Sequence, residues 1–180
     1  MVGGSSRPGD HRNAALLDPT TKLLQTMRSN NVMRIKSAIN TPCVDVNVRI
    51  PNQQQMTILM RFCYLDISAK SRKDLTGLVL TKATCDTNAR DIKGRTVLTH
   101  ACIRKDETLI NRLAADRFVD PNIADDKGNA PIMYASRSGN ANIVATLIEA
   151  FKKYGINVNR TNKEGKRYCD LWNEEFQNGF

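Results

Sequence analysis

Histidine and cysteine, on which most metal sites and much nucleophilic catalysis depend, are scarce and badly placed in this chain. The two histidines, His11 and His100, lie far apart, and the five cysteines (Cys43, Cys63, Cys85, Cys102 and Cys169) include no C-x-x-C pair. An odd, dispersed set argues against a disulfide framework, and zinc needs close-spaced ligands, so no metal is expected. A Gly-rich phosphate loop, G-x-S-x-G and H-E-x-x-H are all missing. His100 and Cys102, two apart on a helix, do not face each other and read as packing residues. The acidic pairs Asp125–Asp126 and Glu174–Glu175 sit in a turn and near the last residues. These absences predict a protein that is not an enzyme and uses no cofactor and no small-molecule substrate.

Long apolar runs are missing too. The most apolar stretch, Ile143–Ile148, spans six residues, against the roughly 20 that a bilayer crossing takes. The opening Met1-Val-Gly-Gly-Ser-Ser-Arg-Pro is polar, without the apolar core of a signal peptide. No membrane insertion is expected, and the location predicted is intracellular, cytoplasmic and/or nuclear. Residues 1–18 read as a flexible tail.

What the chain has is positive charge and repetition. Lys and Arg number 27 against 18 Asp and Glu, a formal net charge of +9, and 41% of the 180 residues are hydrophobic, as in globular domains. Three stretches share a phrase of acid or Asn, two polar residues, Gly, and then a helical pattern. They begin Asp91-Ile-Lys-Gly, Asp125-Asp-Lys-Gly and Asn162-Lys-Glu-Gly. Upstream of each lies a second phrase: Cys85-Asp-Thr-Asn, Val119-Asp-Pro-Asn and Ile156-Asn-Val-Asn, with Val44-Asp-Val-Asn as an earlier copy. Successive helix starts step by 39, 34 and 37 residues. Within the repeats, Leu109, Ile110 and Leu113, and then Ile143, Val144, Leu147 and Ile148, keep to one helix face.

In the fourth unit Ala130-Pro-Ile-Met-Tyr-Ala135 is followed at the right distance by Ser138-Gly-Asn-Ala-Asn-Ile-Val144. Together these resemble the ankyrin repeat, which has Thr-Pro-Leu-His-x-Ala and then Gly-His between its two helices. The resemblance runs from about Thr20 to Phe176 and implies an all-α ankyrin-repeat solenoid. It would hold stacked helix-turn-helix units with β-turn fingers, about three full repeats plus atypical caps. The domain expected is 19–177, in units 19–51, 52–90, 91–124 and 125–161 with a C-terminal cap 162–177.

Gly94, Gly128 and Gly165 would take positive φ in the turns, whereas Gln55 holds that place in the second unit and predicts a different turn there. A helix over 22–31 and another over 32–39 are expected in the first unit. About five extra residues around 66–73 read as a longer, solvated loop, although Ser68–Lys73 has the look of a basic modification or import signal. The region 151–156 predicts an extended second helix. Trp172 reads as a cover on the last repeat, while Phe176 and Phe180 could cover it or anchor a partner.

The resemblance also implies non-enzymatic protein–protein interaction, as an adaptor or regulatory subunit. Family ligands contact positions flanking the turn glycine and just before the inter-helix glycine. Here those are Gln53, Gln54, Met56, Tyr64 and Leu65, then Ile92, Lys93, Arg95, Ile103 and Arg104. Next come Asp126, Lys127, Asn129, Arg137 and Ser138, and in the cap Lys163, Glu164 and Lys166. Seven of these are basic and two acidic. The partner expected is a protein with an acidic segment, entering beside an apolar patch at Met56, Tyr64 and Leu65. Direct nucleic-acid binding is the alternative, weakened by a set holding one aromatic, Tyr64.

Overall fold

A computed structural model describes residues 17–177; residues 1–16 of the tail expected over 1–18, the Phe176 side chain and Phe180 lie outside the described residues. The described chain forms helices with no strand, apart from one isolated antiparallel bridge between Arg49 and Thr57. The helices are α1 (Pro19–Thr26), α2 (Val32–Ile39), α3 (Ile58–Phe62), α4 (Ala69–Leu80) and α5 (Val97–Ile103). They continue as α6 (Glu107–Ala114), α7 (Pro131–Arg137), α8 (Ala141–Lys153) and α9 (Tyr168–Gln177).

Short polar caps set these boundaries. Asp18 accepts amide hydrogen bonds from Thr20 and Thr21, and Pro19 occupies the first helical turn, where a missing N–H costs nothing. The first helix therefore starts and ends earlier than the 22–31 expected from sequence. Thr57, Thr96 and Asp106 cap α3, α5 and α6 in the same way. The helix α8, at 13 residues against 8 in α6, is the extended second helix expected.

Helices α1 with α2, α3 with α4, α5 with α6 and α7 with α8 pair as hairpins, and α9 stands as the first helix of a last unit. Hairpins stack in two layers: α3, α5, α7 and α9 in one, and α2, α4, α6 and α8 in the other. One continuous core runs between the layers through Leu23, Ile35, Phe62, Leu75, Leu98, Leu109 and Leu147. Cys63 and Cys102 are buried in it, as the packing reading required, and burial pushes the Cys63 thiol up to about 12. Trp172 packs on the same core.

The expected loop over 66–73 is corrected. Ser68 caps α4, so residues 69–73 are helical and the extra length lies between α3 and α4. Arg72 anchors this connection. Its guanidinium donates to the carbonyls of Phe62 (2.9 Å), Leu65 (3.0 Å) and Ile67 (3.3 Å) and pairs with Asp106. A side chain so committed belongs to the scaffold and not to a solvated recognition signal.

Candidate functional site

Between the hairpins the chain projects three short fingers, each built by one polar side chain. Asp91 Oδ1 accepts the amides of Lys93 (2.8 Å) and Arg95 (2.9 Å). Asp125 Oδ1 does so for Lys127 and Asn129, and Asn162 Oδ1 for Glu164 and Lys166. The turn needs only an acceptor oxygen, which explains why Asp and Asn interchange there. Gly94, Gly128 and Gly165 take φ of 76°, 80° and 77°.

The second unit differs as its sequence suggested. The amide of Ile50 reaches the Met56 carbonyl (2.9 Å), whereas Asp91 closes on Arg95 (2.9 Å), so this finger is two residues longer. Gln55 still takes the left-handed conformation (φ 58°), joined by Asn52 and Gln54 (φ 60° and 52°).

Backbone hydrogen bonds tie each finger to the next. The amide of Ile92 donates to Gln54 O (2.9 Å), Asp126 to Lys93 O (3.0 Å) and Lys163 to Lys127 O (3.0 Å). The second repeated phrase acts likewise. Asn47 Nδ2 donates to Thr84 O and its Oδ1 accepts from Asp86 N, and Asn88 bonds Phe118 O and Asp120 N in the same manner. Repeated residues thus fix the register in which variable residues converge.

That convergence forms an open pocket of about 600 Å³ along the fingers, which gathers Lys93, Arg95, Lys127 and Arg137 with Asp125, Asp126 and Glu164. The charges are not equally available. Arg95 pairs with buried Asp91 (2.7 Å) and bonds Gln54 Oε1, and Lys166 pairs with Glu174 (2.8 Å). Asp126 lies 3.4 Å from Arg90. Lys93, Lys127 and Lys163 are exposed and have no ion pair among the described residues. Arg104 lies over the Tyr64 ring and Arg137 over that of Tyr134.

One of the residues placed on this surface from sequence does not reach it: Leu65 is buried in the core. Asn129 lines the pocket but is almost fully buried, its Oδ1 accepting from Asn162 Nδ2 (2.9 Å). Met56 is half-buried against the core, Ile103 is half-buried, and Ser138 turns its hydroxyl to the Ala135 carbonyl. Ile92 is 64% exposed. Gln53 lines a separate cavity beside α1.

Beneath the trough runs a polar chain that the spacing hides. Asp91 Oδ2 holds His100 Nε2 at 3.1 Å, and His100 Nδ1 meets the Tyr64 hydroxyl at 2.8 Å. A carboxylate partner puts the imidazole proton on Nε2, so Nδ1 accepts from Tyr64. Burial, reinforced by nearby Arg95, lowers the His100 pKa to about 4, so the ring is neutral near pH 7. One repeat later Tyr134 donates to Asp125 Oδ2 (2.5 Å), and burial with this bond raises its pKa to about 12. The signal in the sequence is the shared offset of nine residues from finger acid to helix residue, Asp91 to His100 and Asp125 to Tyr134. Both side chains are consumed in holding fingers on helices.

Stacked helical hairpins carrying fingers that bond one to the next define a repeat solenoid. The family model for ankyrin repeats (3 copies) matches residues 65–162, and the chain belongs to that family. It is 36% identical over 78 residues to the human Ankyrin repeat domain-containing protein 63, and 35% over 78 residues to the mouse protein of that name. Each alignment covers 43% of this chain, which spans about a fifth of the length of these relatives. Ankyrin repeats are in general protein–protein interaction modules and typically not enzymes. No helix among the described residues is long and apolar enough to cross a membrane.

Proposed function

We propose that this protein is an adaptor or regulatory subunit that binds an acidic segment of a partner along the finger trough. The observation that carries the reading is the pocket gathering Lys93, Arg95, Lys127 and Arg137 from successive repeats. Positive potential there would speed encounter and reject basic partners, while flanking apolar contacts would slow release. All five cysteines are unpaired thiols, which agrees with a reducing intracellular setting.

The test is capture from native extract by the wild type and by a Lys93→Glu, Lys127→Glu variant, whose changes fall on exposed residues. Association of the captured protein is then timed at several salt concentrations. Reversal should slow association about tenfold or more at low salt, with the two rates converging as salt rises. Equal rates at low salt would refute the proposal. Capture of RNA or DNA alone would overturn it in favour of direct nucleic-acid binding.

A further inference from the structure

The long finger of the second unit has no counterpart further along, and its extra length closes a cavity. That cavity, about 270 Å³, lies between the finger and α1 and is lined by Leu24, Met27, Ile50 and Pro51, with Arg28 and Arg61 beside them. Holding the wall in place takes three non-glycine residues with positive φ. Such conformations cost roughly 1 kcal/mol each and gather where a surface has a task. Neither arginine has an ion pair or a side-chain hydrogen bond among the described residues. An apolar hollow between two uncompensated cations asks for an apolar group carried beside an anion. The volume is under the roughly 300–1,000 Å³ of small-molecule sites, and suits a single side chain.

We propose that this slot receives one aliphatic side chain of the partner segment, with an acidic residue of the same segment on Arg28 and Arg61. The inference rests on the trough reading and completes it. Gln53 belongs both to the slot and to the residues expected to face a partner, and Gln54 joins this finger to the next through Ile92. It also relocates the apolar anchor. Leu65 is buried and the Tyr64 hydroxyl is engaged by His100, so the patch expected at Met56, Tyr64 and Leu65 has no open hollow to offer.

The probe is a phage-displayed library of random dodecapeptides, selected on the whole chain and on three variants. These are Leu24→Lys in the slot, Arg28→Glu at its exposed rim, and Lys93→Glu with Lys127→Glu in the trough. Urea unfolding verifies that each is folded, and the rim variant keeps the test open if the slot variant is not. On the wild type, enriched peptides should pair an aliphatic residue with nearby acids. Changing that aliphatic residue to alanine should weaken binding about tenfold. Selection on Leu24→Lys should lose the aliphatic preference and keep the acids, and Arg28→Glu should lose the acid beside the aliphatic residue. Acidic peptides without an aliphatic preference would overturn the slot and leave the trough standing. Enrichment indifferent to Lys93→Glu, Lys127→Glu would overturn the trough reading, and no enrichment would overturn both.

Discussion

Replacing Gly128 or Gly165 by alanine separates the cost of a finger's backbone conformation from the cost of disturbing the stack. Both residues have φ near 80°, where an L side chain costs about 1–2 kcal/mol. At Gly165 an added Cβ meets nothing within 4 Å, so that cost should stand alone. At Gly128 the same atom would lie 2.9 Å from Lys163 N and 3.2 Å from Asn162 Cα. Those are backbone atoms of the next finger and cannot swing aside as a side chain does. Relief has to separate the fingers, at the expense of the Lys163-to-Lys127 bond (3.0 Å) and the Asn162-to-Asn129 bond (2.9 Å). At about 1 kcal/mol each, the loss for Gly128→Ala should reach roughly 3–4 kcal/mol, against about 1–2 for Gly165→Ala. Gly94→Ala should fall between: its two nearest neighbours are the movable ends of Arg90 and Asp126, and it meets one backbone atom of the next finger, Asp126 N at 3.0 Å, against three at Gly128. Urea denaturation of the three variants, with slopes compared to confirm a common transition, gives the measurement. Equal losses at 128 and 165 would show that the finger-to-finger bonds carry no stability, and the register argument for the trough would fall with them.

Three further outcomes can be checked with the same protein. His100 stays neutral in the fold down to about pH 4, while the unfolded chain takes up its proton near 6.5. Its contribution is complete above pH 6.5 and is lost as pH falls toward 4, in all about 3 kcal/mol; thermal midpoints across that range should drop for the wild type and flatten for His100→Gln. Arg72→Met should cost roughly 3 kcal/mol by stranding Asp106 and three carbonyls, whereas Lys70→Ala on the exposed face should stay within about 0.5 kcal/mol by urea unfolding. Asn88→Ala should cost about 1–2 kcal/mol because Asn88 bridges to Phe118 and Asp120, while Asn122→Ala should cost less, since its Oδ1 is buried without a hydrogen-bond partner among the described residues.

Most of the fold could be read directly because repetition states each constraint several times. Asp91, Asp125 and Asn162 recur at the heads of turns because each supplies the same acceptor oxygen. The apolar rows in α6 and α8 name the faces that the core buries. The misreadings fell where a residue's role depends on something distant in sequence. Ser68–Lys73 looked like a solvated loop because a basic run is usually solvated, yet Arg72 is held by three carbonyls of the α3–α4 connection and by Asp106. Leu65 occupies a position that faces a ligand elsewhere in the family, but here it fills the core.

The chain by itself determined its units, the turns between them and the residues that form each hairpin, since those depend on neighbours within a few positions. Only the tertiary structure decided which charges remain available, because Arg95 and Lys166 are neutralised by carboxylates while Lys93 and Lys127 have no such partner among the described residues. It alone also decided where an apolar group could enter, because the slot of Leu24, Ile50 and Pro51 exists through the placement of one long finger against a helix from the preceding unit. Local geometry follows from local sequence, whereas charge compensation and hollow space arise between segments that folding brings together.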